Sequence, residues 1–324
     1  MKNKPIIVVA GEPYSVFIEI FLKAISKKQK LKNKIVLIVS KKLFIKQMKF
    51  FGFNFDINLI DKNDINLKKL SMQKINIIDV NFKFKKIFDK ISSKSNKYIN
   101  DSFEIALTLI KSKKYAGLIN GPISKKNFLK GKFNGITEYL AKKTNRVNKI
   151  AMLIYNKKLS VSPITTHVPL KDVYQKITKK KIVQNVELIK YFYNKVLKKN
   201  PKIAITGLNP HCESNYKSSE ENKIIKPSIK YLIKKKHMIS GPYPADTIFM
   251  KGQIKKFDVV IGMYHDQVLT PAKTLFEFSS INITLGLPFM RISPDHGPNS
   301  SMLGMNKSNP ESLVKALEFF LKNK

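Results

Sequence analysis

Short apolar runs alternate along this chain with longer stretches in which apolar residues recur every three or four positions. The runs at 5–10, 34–39, 75–80, 116–120, 150–155, 159–165, 202–206, 257–262, 281–285 and 289–292 read as strands. The stretches 14–25, 98–113, 181–197, 220–235 and 312–321 carry the helical period. Segment 59–74 reads as a polar connecting loop. Strands that alternate with helices predict an α/β protein with a largely parallel sheet. In such a sheet, ligands bind at the C-terminal ends of the strands. The chain has 324 residues, which suggests about two domains. No internal repeat and no Gly/Ser-rich or Pro-rich linker separates two halves, so the domains are expected to be joined by continuous structure.

The residues that follow each apolar run carry the polar chemistry. Thr166-His167-Val168-Pro169 follows the run 159–165, and Gly207-Leu208-Asn209-Pro210-His211 follows 202–206. Met263-Tyr264-His265-Asp266-Gln267 follows 257–262, and Ser293-Pro294-Asp295-His296-Gly297 follows 289–292. Four of the five histidines therefore sit just past a strand, while His237, behind three lysines, reads as a solvated surface residue. Loops at one rim of a parallel sheet converge, so residues far apart in the chain meet there. Three imidazoles suffice to hold a divalent ion with coordination positions left open. His167, His211 and His265 are the candidate metal set. Asp266 is either a carboxylate that orients a ligand or acts as a base, or a helix N-cap. Arg291 ends a core strand and points to fork-like recognition of a carboxylate or phosphate, or else to a structural ion pair. Lys273 and Asn282 are its candidate companions. Cys212 reads as a passive thiol, because neighbouring side chains point in different directions. Neither GxGxxG nor a P-loop is present, so an ordinary Rossmann nucleotide site is not supported.

Composition narrows the picture. Lys plus Arg number 61 against 22 Asp plus Glu, a formal net charge of +39. Only Arg146 and Arg291 are arginines, and the lysines are spread over the whole chain. Arginine is the better bidentate reader of phosphates and bases, and nucleic-acid binders usually use both cations, so the charge reads as compositional drift rather than a designed basic patch. Salt-sensitive sticking to polyanions and attraction of an anionic substrate are expected, but no specific nucleic-acid partner. One cysteine excludes an intrachain disulfide and a Cys-based zinc site. No apolar run reaches the ~18 residues that span a bilayer, and the opening run is too short for a signal-peptide core. A reducing cytoplasm is the expected location.

Several strings match a known family. They are Gly11-Glu12-Pro13, Thr137-Glu138-Tyr139-Leu140-Ala141, Thr165-Thr166-His167-Val168-Pro169-Leu170 and Gly207-Leu208-Asn209-Pro210-His211. Gly241-Pro242-Tyr243-Pro244-Ala245-Asp246-Thr247, Met263-Tyr264-His265-Asp266-Gln267 and Asn282-Ile283-Thr284-Leu285-Gly286-Leu287-Pro288-Phe289 continue the match. In order and over nearly the whole chain, they resemble the 4-hydroxythreonine-4-phosphate dehydrogenases of pyridoxal phosphate biosynthesis. The resemblance implies a fold like that of isocitrate and isopropylmalate dehydrogenases, with two α/β/α domains flanking a cleft. The first domain is expected at 1–130 plus 294–324. The second, at 131–293, is expected to carry most metal and substrate residues and the dimer interface. The resemblance further implies a homodimer with a shared active site and one divalent ion (zinc, magnesium or cobalt). Its ligands are His167, His211 and His265, one donated by the other subunit. Thr137, Lys273, Asn282 and Arg291 map onto substrate contacts, and Asp246, Asp266 and Lys273 are candidates for the base. Asp295, His296 and Gly297 lie where the NAD or NADP cofactor is expected. The implied reaction oxidises 4-phosphooxy-L-threonine with loss of carbon dioxide, giving 3-amino-2-oxopropyl phosphate.

The chain departs from the family pattern in four places. The opening GEPAGIGPE reads Gly11-Glu12-Pro13-Tyr14-Ser15-Val16-Phe17-Ile18-Glu19, with bulky residues in place of small ones. The substrate triplet His-Thr-Glu reads Ile136-Thr137-Glu138, and isoleucine cannot hydrogen-bond a phosphate. Pro298-Asn299-Ser300-Ser301 replaces Thr-Ala-x-Asp, and Glu213-Ser214-Asn215 stands where a Gly-rich stretch is usual. These departures support two alternatives. One is a dehydrogenase of another phosphorylated hydroxy acid, such as 4-phospho-threonate or erythronate. The other is a non-catalytic metal-binding or polyanion-binding relative.

Overall fold

Runs of β-branched residues form strands because such side chains pack well on a pleated, buried surface. The protein is represented by a computed structural model that describes residues 4–27, 35–62, 67–129, 133, 135–212, 217–294 and 297–322. Its strands are β1 (Ile6–Val9), β2 (Ile35–Val39), β3 (Ile57–Leu59), β4 (Ile75–Asp79), β5 (Gly117–Asn120) and β6 (Ala151–Tyr155). They continue with β7 (Ser160–Thr165), β8 (Ile203–Thr206), β9 (Ile239–Tyr243), β10 (Val259–Tyr264), β11 (Ile281–Leu285) and β12 (Arg291–Pro294). The helices are α1 (Phe17–Lys27), α2 (Lys41–Phe50), α3 (Asn96–Lys111), α4 (Ile136–Lys143) and α5 (Val173–Lys176). They continue with α6 (Lys179–Phe192), α7 (Lys226–Lys234), α8 (Lys251–Ile254), α9 (His265–Phe276) and α10 (Glu311–Lys322).

The chain divides into two compact units, Met1–Lys143 with Pro288–Lys324, and Thr144–Leu287. In the first unit the strand order is β3-β4-β2-β1-β5-β12, with every recorded pair parallel. All four residues of β1 are buried, and α1 packs Phe17, Phe21, Leu22 and Ile25 into the core. Glu19, itself buried, holds Lys23 at 2.8 Å and accepts the Ser308 backbone N–H at 2.7 Å. Gly11 has φ +77°, and a Cβ there would meet the Gly121 carbonyl at 2.9 Å, so the ends of β1 and β5 close up only around glycine.

The second unit has the order β11-β6-β7-β10-β8-β9. Here the sheet is mixed: β6 runs antiparallel to both β11 and β7, and the remaining pairs are parallel. Its core gathers Val161, Ala204, Ile248, Val260, Val268, Leu269 and Ala272.

Seven elements fall outside the sequence pattern, among them the short helices α5 and α8. β3 and β9 end the strand order of their units, where short or Gly- and Pro-containing strands are tolerated. α2 and α4 are rich in lysine, and α9 contains Pro271. The expected domain limits also differ from the compact units. Tyr139 of α4 stacks edge-on with Phe103 and bonds Asn100, and Arg291 of β12 lies in register with Leu118 of β5. Thr137 and Arg291 therefore belong to the first unit. His237 is not a solvated surface residue. It closes the turn from α7 into β9, its side chain is 3% exposed, and its Nε2 lies 3.0 Å from Glu187 Oε1 on α6. No helix among the described residues is long and apolar enough to cross a membrane.

Candidate active site

In the second unit β7, β10 and β8 are neighbours and run parallel, so their C-terminal ends share one edge. Each is followed by a histidine. Thr165 Oγ1 donates to the Met263 carbonyl at 2.8 Å, which fastens the end of β7 to the end of β10. Just beyond, the rings of His167 and His265 approach with centroids 5.6 Å apart and planes tilted by 34°. His265 opens α9, and its Nδ1 lies 2.6 Å from Asp266 Oδ1. His211 stands elsewhere, with Nδ1 3.9 Å from Asp246 Oδ2, and both side chains are largely exposed. Among the described residues, no group of three or more His, Cys, Asp and Glu side chains is placed to hold a metal ion. The single chain thus pairs His167 with His265, and His211 with Asp246.

The backbone is strained at this rim. His167 (φ 49°), His211 (φ 56°) and Cys212 (φ 55°) are all left-handed, a conformation that costs a non-glycine residue on the order of 1–3 kcal/mol. The His211 loop is held from below by Glu221. Glu221 Oε1 accepts the N–H groups of Leu208 and Asn209, both at 2.8 Å, and its Oε2 accepts Asn209 Nδ2 at 2.8 Å. Burial alone would raise the Glu221 carboxyl, but these donors outweigh it and hold the group below its ordinary value. Burial pushes the Cys212 thiol up, away from the thiolate, in keeping with a passive role.

The remaining second-unit candidates lie apart. Asn282 is half-buried on β11, and its Oδ1 is buried without a hydrogen-bond partner. Lys273 is exposed on α9, eight residues beyond His265.

In the first unit, the Arg291 side chain is fully buried. Its Nε donates to Asn120 Oδ1 at 2.8 Å and its Nη1 to Thr137 Oγ1 at 3.2 Å. Burial pulls the guanidinium down to about 10, opposed by the nearby Glu138 carboxylate. It remains charged at neutral pH, with Glu138 as its counter-ion. Within the chain the guanidinium thus bonds Asn120 and Thr137, with the Glu138 carboxylate nearby. Ile136 sits half-buried at the start of α4, beside Thr137.

The bulky residues of the opening loop fill space. Tyr14, Val16 and Phe17 are buried, Tyr14 meets Phe82 edge-on, and Val16 N–H donates to the Pro298 carbonyl at 3.2 Å. Two of the departures from the family pattern are therefore in contact. Of the expected cofactor residues, Asp295 and His296 lie outside the described residues, as do Glu213, Ser214 and Asn215. Gly297 is exposed, and nothing beyond its chain neighbours lies within 4 Å of where a Cβ would stand.

Sequence reading did not single out Asn120, Glu138, Glu221, Gln267 or the buried Glu12. Glu138, Gln267 and Glu12 sit inside quoted motifs, which was the available signal. Glu221 lies in a charged helical stretch that reads as solvated, and Asn120 ends an apolar run without comment.

The profile of the pyridoxal phosphate biosynthetic protein PdxA matches residues 30–320 of the chain. A 4-hydroxythreonine-4-phosphate dehydrogenase of Sulfurihydrogenibium sp. (strain YO3AOP1) is 39% identical over 316 residues, 96% of this chain and 95% of that one. A protein of Oceanobacillus iheyensis, provisionally named D-threonate 4-phosphate dehydrogenase, is 30% identical over 324 residues, 98% of this chain and 97% of that one. The crystal structure of 4-hydroxythreonine-4-phosphate dehydrogenase from Klebsiella pneumoniae superposes with a TM-score of 0.84 at 27% identity, covering 98% of this chain and 99% of that one.

Proposed function

The chain belongs to the family of the pyridoxal phosphate biosynthetic protein PdxA, and from that premise we propose how its residues serve the family's reaction. It is a dehydrogenase of pyridoxal phosphate biosynthesis. The secondary alcohol of 4-phosphooxy-L-threonine gives a hydride to NAD or NADP and a proton to a base. The resulting β-keto acid loses carbon dioxide, leaving 3-amino-2-oxopropyl phosphate.

The observation that carries the metal part of this reading is the approach of His167 and His265. Two imidazoles brought together in this way would serve as nitrogen donors to one divalent ion. The donor chemistry suits zinc, cobalt or magnesium, with nitrogen ligands favouring the first two. Asp266 on Nδ1 leaves His265 Nε2 as the donor. The third imidazole of the set His167, His211 and His265 is supplied in this reading across a homodimer interface. When bound, the ion supplies Lewis acidity to a substrate oxygen and the nicotinamide supplies the hydride acceptor.

Among the base candidates, Asp246 is favoured. It is accessible and lies beside His211, a position from which a carboxylate can serve as a general base. Asp266 is engaged in orienting His265, and Lys273 is the candidate for contact with the substrate's anionic groups. Arg291, fixed by Asn120 and Thr137, offers positive charge to the phosphate or carboxylate. The unpartnered Asn282 Oδ1 suits a substrate amine or hydroxyl, since a buried acceptor without a donor is uncommon. Asp295, His296 and Gly297 form the segment assigned to the cofactor in this reading.

The test is direct. Purified protein with 4-phosphooxy-L-threonine, NAD or NADP and Co2+, Zn2+ or Mg2+ should produce reduced nicotinamide, and a chelator should abolish the signal. No turnover with any metal and either cofactor overturns the reading. A second substrate, 4-phospho-D-threonate, is favoured by Ile136 and by the Oceanobacillus iheyensis relative. Comparison of kcat/KM for the two substrates decides between them.

A further inference from the structure

Hydrogen bonding between β10 and β8 stops before the histidine rim. The ladder between these strands ends at Ile261 and Ile205. Beyond that point one side chain takes over. Gln267, the third residue of α9, is buried at 9% exposure. Its Oε1 accepts the Met263 N–H at 2.7 Å and the Thr206 hydroxyl at 2.9 Å. Its Nε2 donates to the Gly207 carbonyl at 2.8 Å. One amide therefore bridges the end of β10 to the end of β8 and to the first residue of the loop that leads to His211. The Met263 carbonyl already receives Thr165, so the tie extends to the strand before His167. The approach depends on Gly262, where a Cβ would stand 3.1 Å from Gln267 Oε1 and crowd Val268.

We propose that Gln267 is the positioning residue of the histidine rim. It holds the ends of β8 and β10 at a fixed separation, so that His265, His167 and the loop bearing His211 each keep one arrangement for the divalent cation sites to which they contribute. Leucine could fill the same volume, and the surrounding core is apolar. A glutamine here satisfies the Met263 N–H, the Thr206 hydroxyl and the Gly207 carbonyl together; it sits two residues from His265, and its partner Gly207 lies four residues upstream of His211. The amide's polar atoms are engaged by Met263, Thr206 and Gly207, so its effect is exerted through the histidines that these residues precede. The proposal rests on the reading that these imidazoles hold a divalent cation.

The experiment compares wild type with Gln267→Leu, Thr206→Val and Val268→Ala in the full-length protein. Val268 is a neighbouring buried residue that makes none of these hydrogen bonds and serves as the control for lost packing. The first readout is Co2+ affinity by calorimetry. Gln267→Leu should weaken it by about 10–100-fold, Thr206→Val by several-fold, and Val268→Ala hardly at all despite a lowered melting temperature. The second readout is amide hydrogen exchange in the metal-free proteins. Exchange at 207–212 and 263–266 should quicken in Gln267→Leu and not in Val268→Ala. Thr206→Val, which removes one donor and keeps its shape, carries the test if Gln267→Leu does not fold. Wild-type Co2+ affinity in a folded Gln267 or Thr206 variant overturns the proposal. If the wild-type protein binds no divalent ion, the metal reading falls on its own. The exchange data then decide for Gln267: local quickening upholds a rim held by this amide, and unchanged exchange overturns it.

Discussion

Glu12 offers a sharp test of the buried electrostatics. It is 2% exposed, its Oε2 accepts the Ser95 hydroxyl at 3.1 Å, and its Oε1 is buried without a partner. Burial raises its carboxyl from an ordinary 4.5 to about 7, against the weaker pull of Ser95 and of the Tyr14 backbone. A folded-state value above the unfolded one means that the folded protein binds the proton more tightly. The stability this group contributes is full below about 4.5, fades as pH rises, and is gone above about 7. The interval between those values corresponds to on the order of 3 kcal/mol. Glu12→Gln keeps the shape and the acceptor for Ser95 but has no charge to desolvate. Relative to wild type it should be neutral or slightly weaker near pH 5 and more stable by up to about 3 kcal/mol near pH 8. With ~2.1 cal/mol/K of unfolding entropy per residue over 324 residues, the thermal midpoint should rise by roughly 4–5 °C at the alkaline end. Thermal melts of both proteins in small pH steps at constant ionic strength measure this. A stability difference that stays flat across the window refutes the assignment of a buried, proton-holding carboxyl.

Three further outcomes follow from the sites described. Arg291→Met strands the Glu138 carboxylate and should cost about 3–5 kcal/mol in a urea titration; adding Glu138→Gln should recover part of the loss, and no recovery would show that the two charges are uncoupled. Asp266→Asn keeps a hydrogen-bond acceptor on His265 but removes its charge, and should weaken Co2+ binding by roughly 10-fold in calorimetry, while an unchanged affinity would remove Asp266 from the site. Ile136→His adds a donor beside Thr137. It should raise kcat/KM for 4-phosphooxy-L-threonine by about 10-fold relative to 4-phospho-D-threonate, the worth of one charged hydrogen bond; an equal change for both would show that Ile136 does not set the substrate.

Much of the architecture was legible in the order of residues. All ten apolar runs overlap a strand, and the five helical stretches each overlap a helix, because burial on two faces or on one stripe imposes a period that survives in the sequence. The exceptions lie where local composition opposes the final state. β9 carries Gly and Pro, and α9 carries Pro271, so both look like breakers until an edge position or a strand end accommodates them. The quoted strings likewise contain His167 and His265, and Arg291 stands out as an arginine ending a core strand in a lysine-rich chain. They did not reveal that Arg291 is buried with Asn120, Thr137 and Glu138, 171, 154 and 153 positions away in the chain.

Linear order therefore settled the α/β class, the family and the residue types available at the strand ends. Those follow from local periodicity and from strings read in place. The tertiary structure alone decided which side chains meet: His167 with His265, His211 with Asp246, and Gln267 with the ends of β8 and β10. Such pairings depend on strand order and register, which join residues separated by up to about a hundred positions, and no local pattern in the chain encodes that distance.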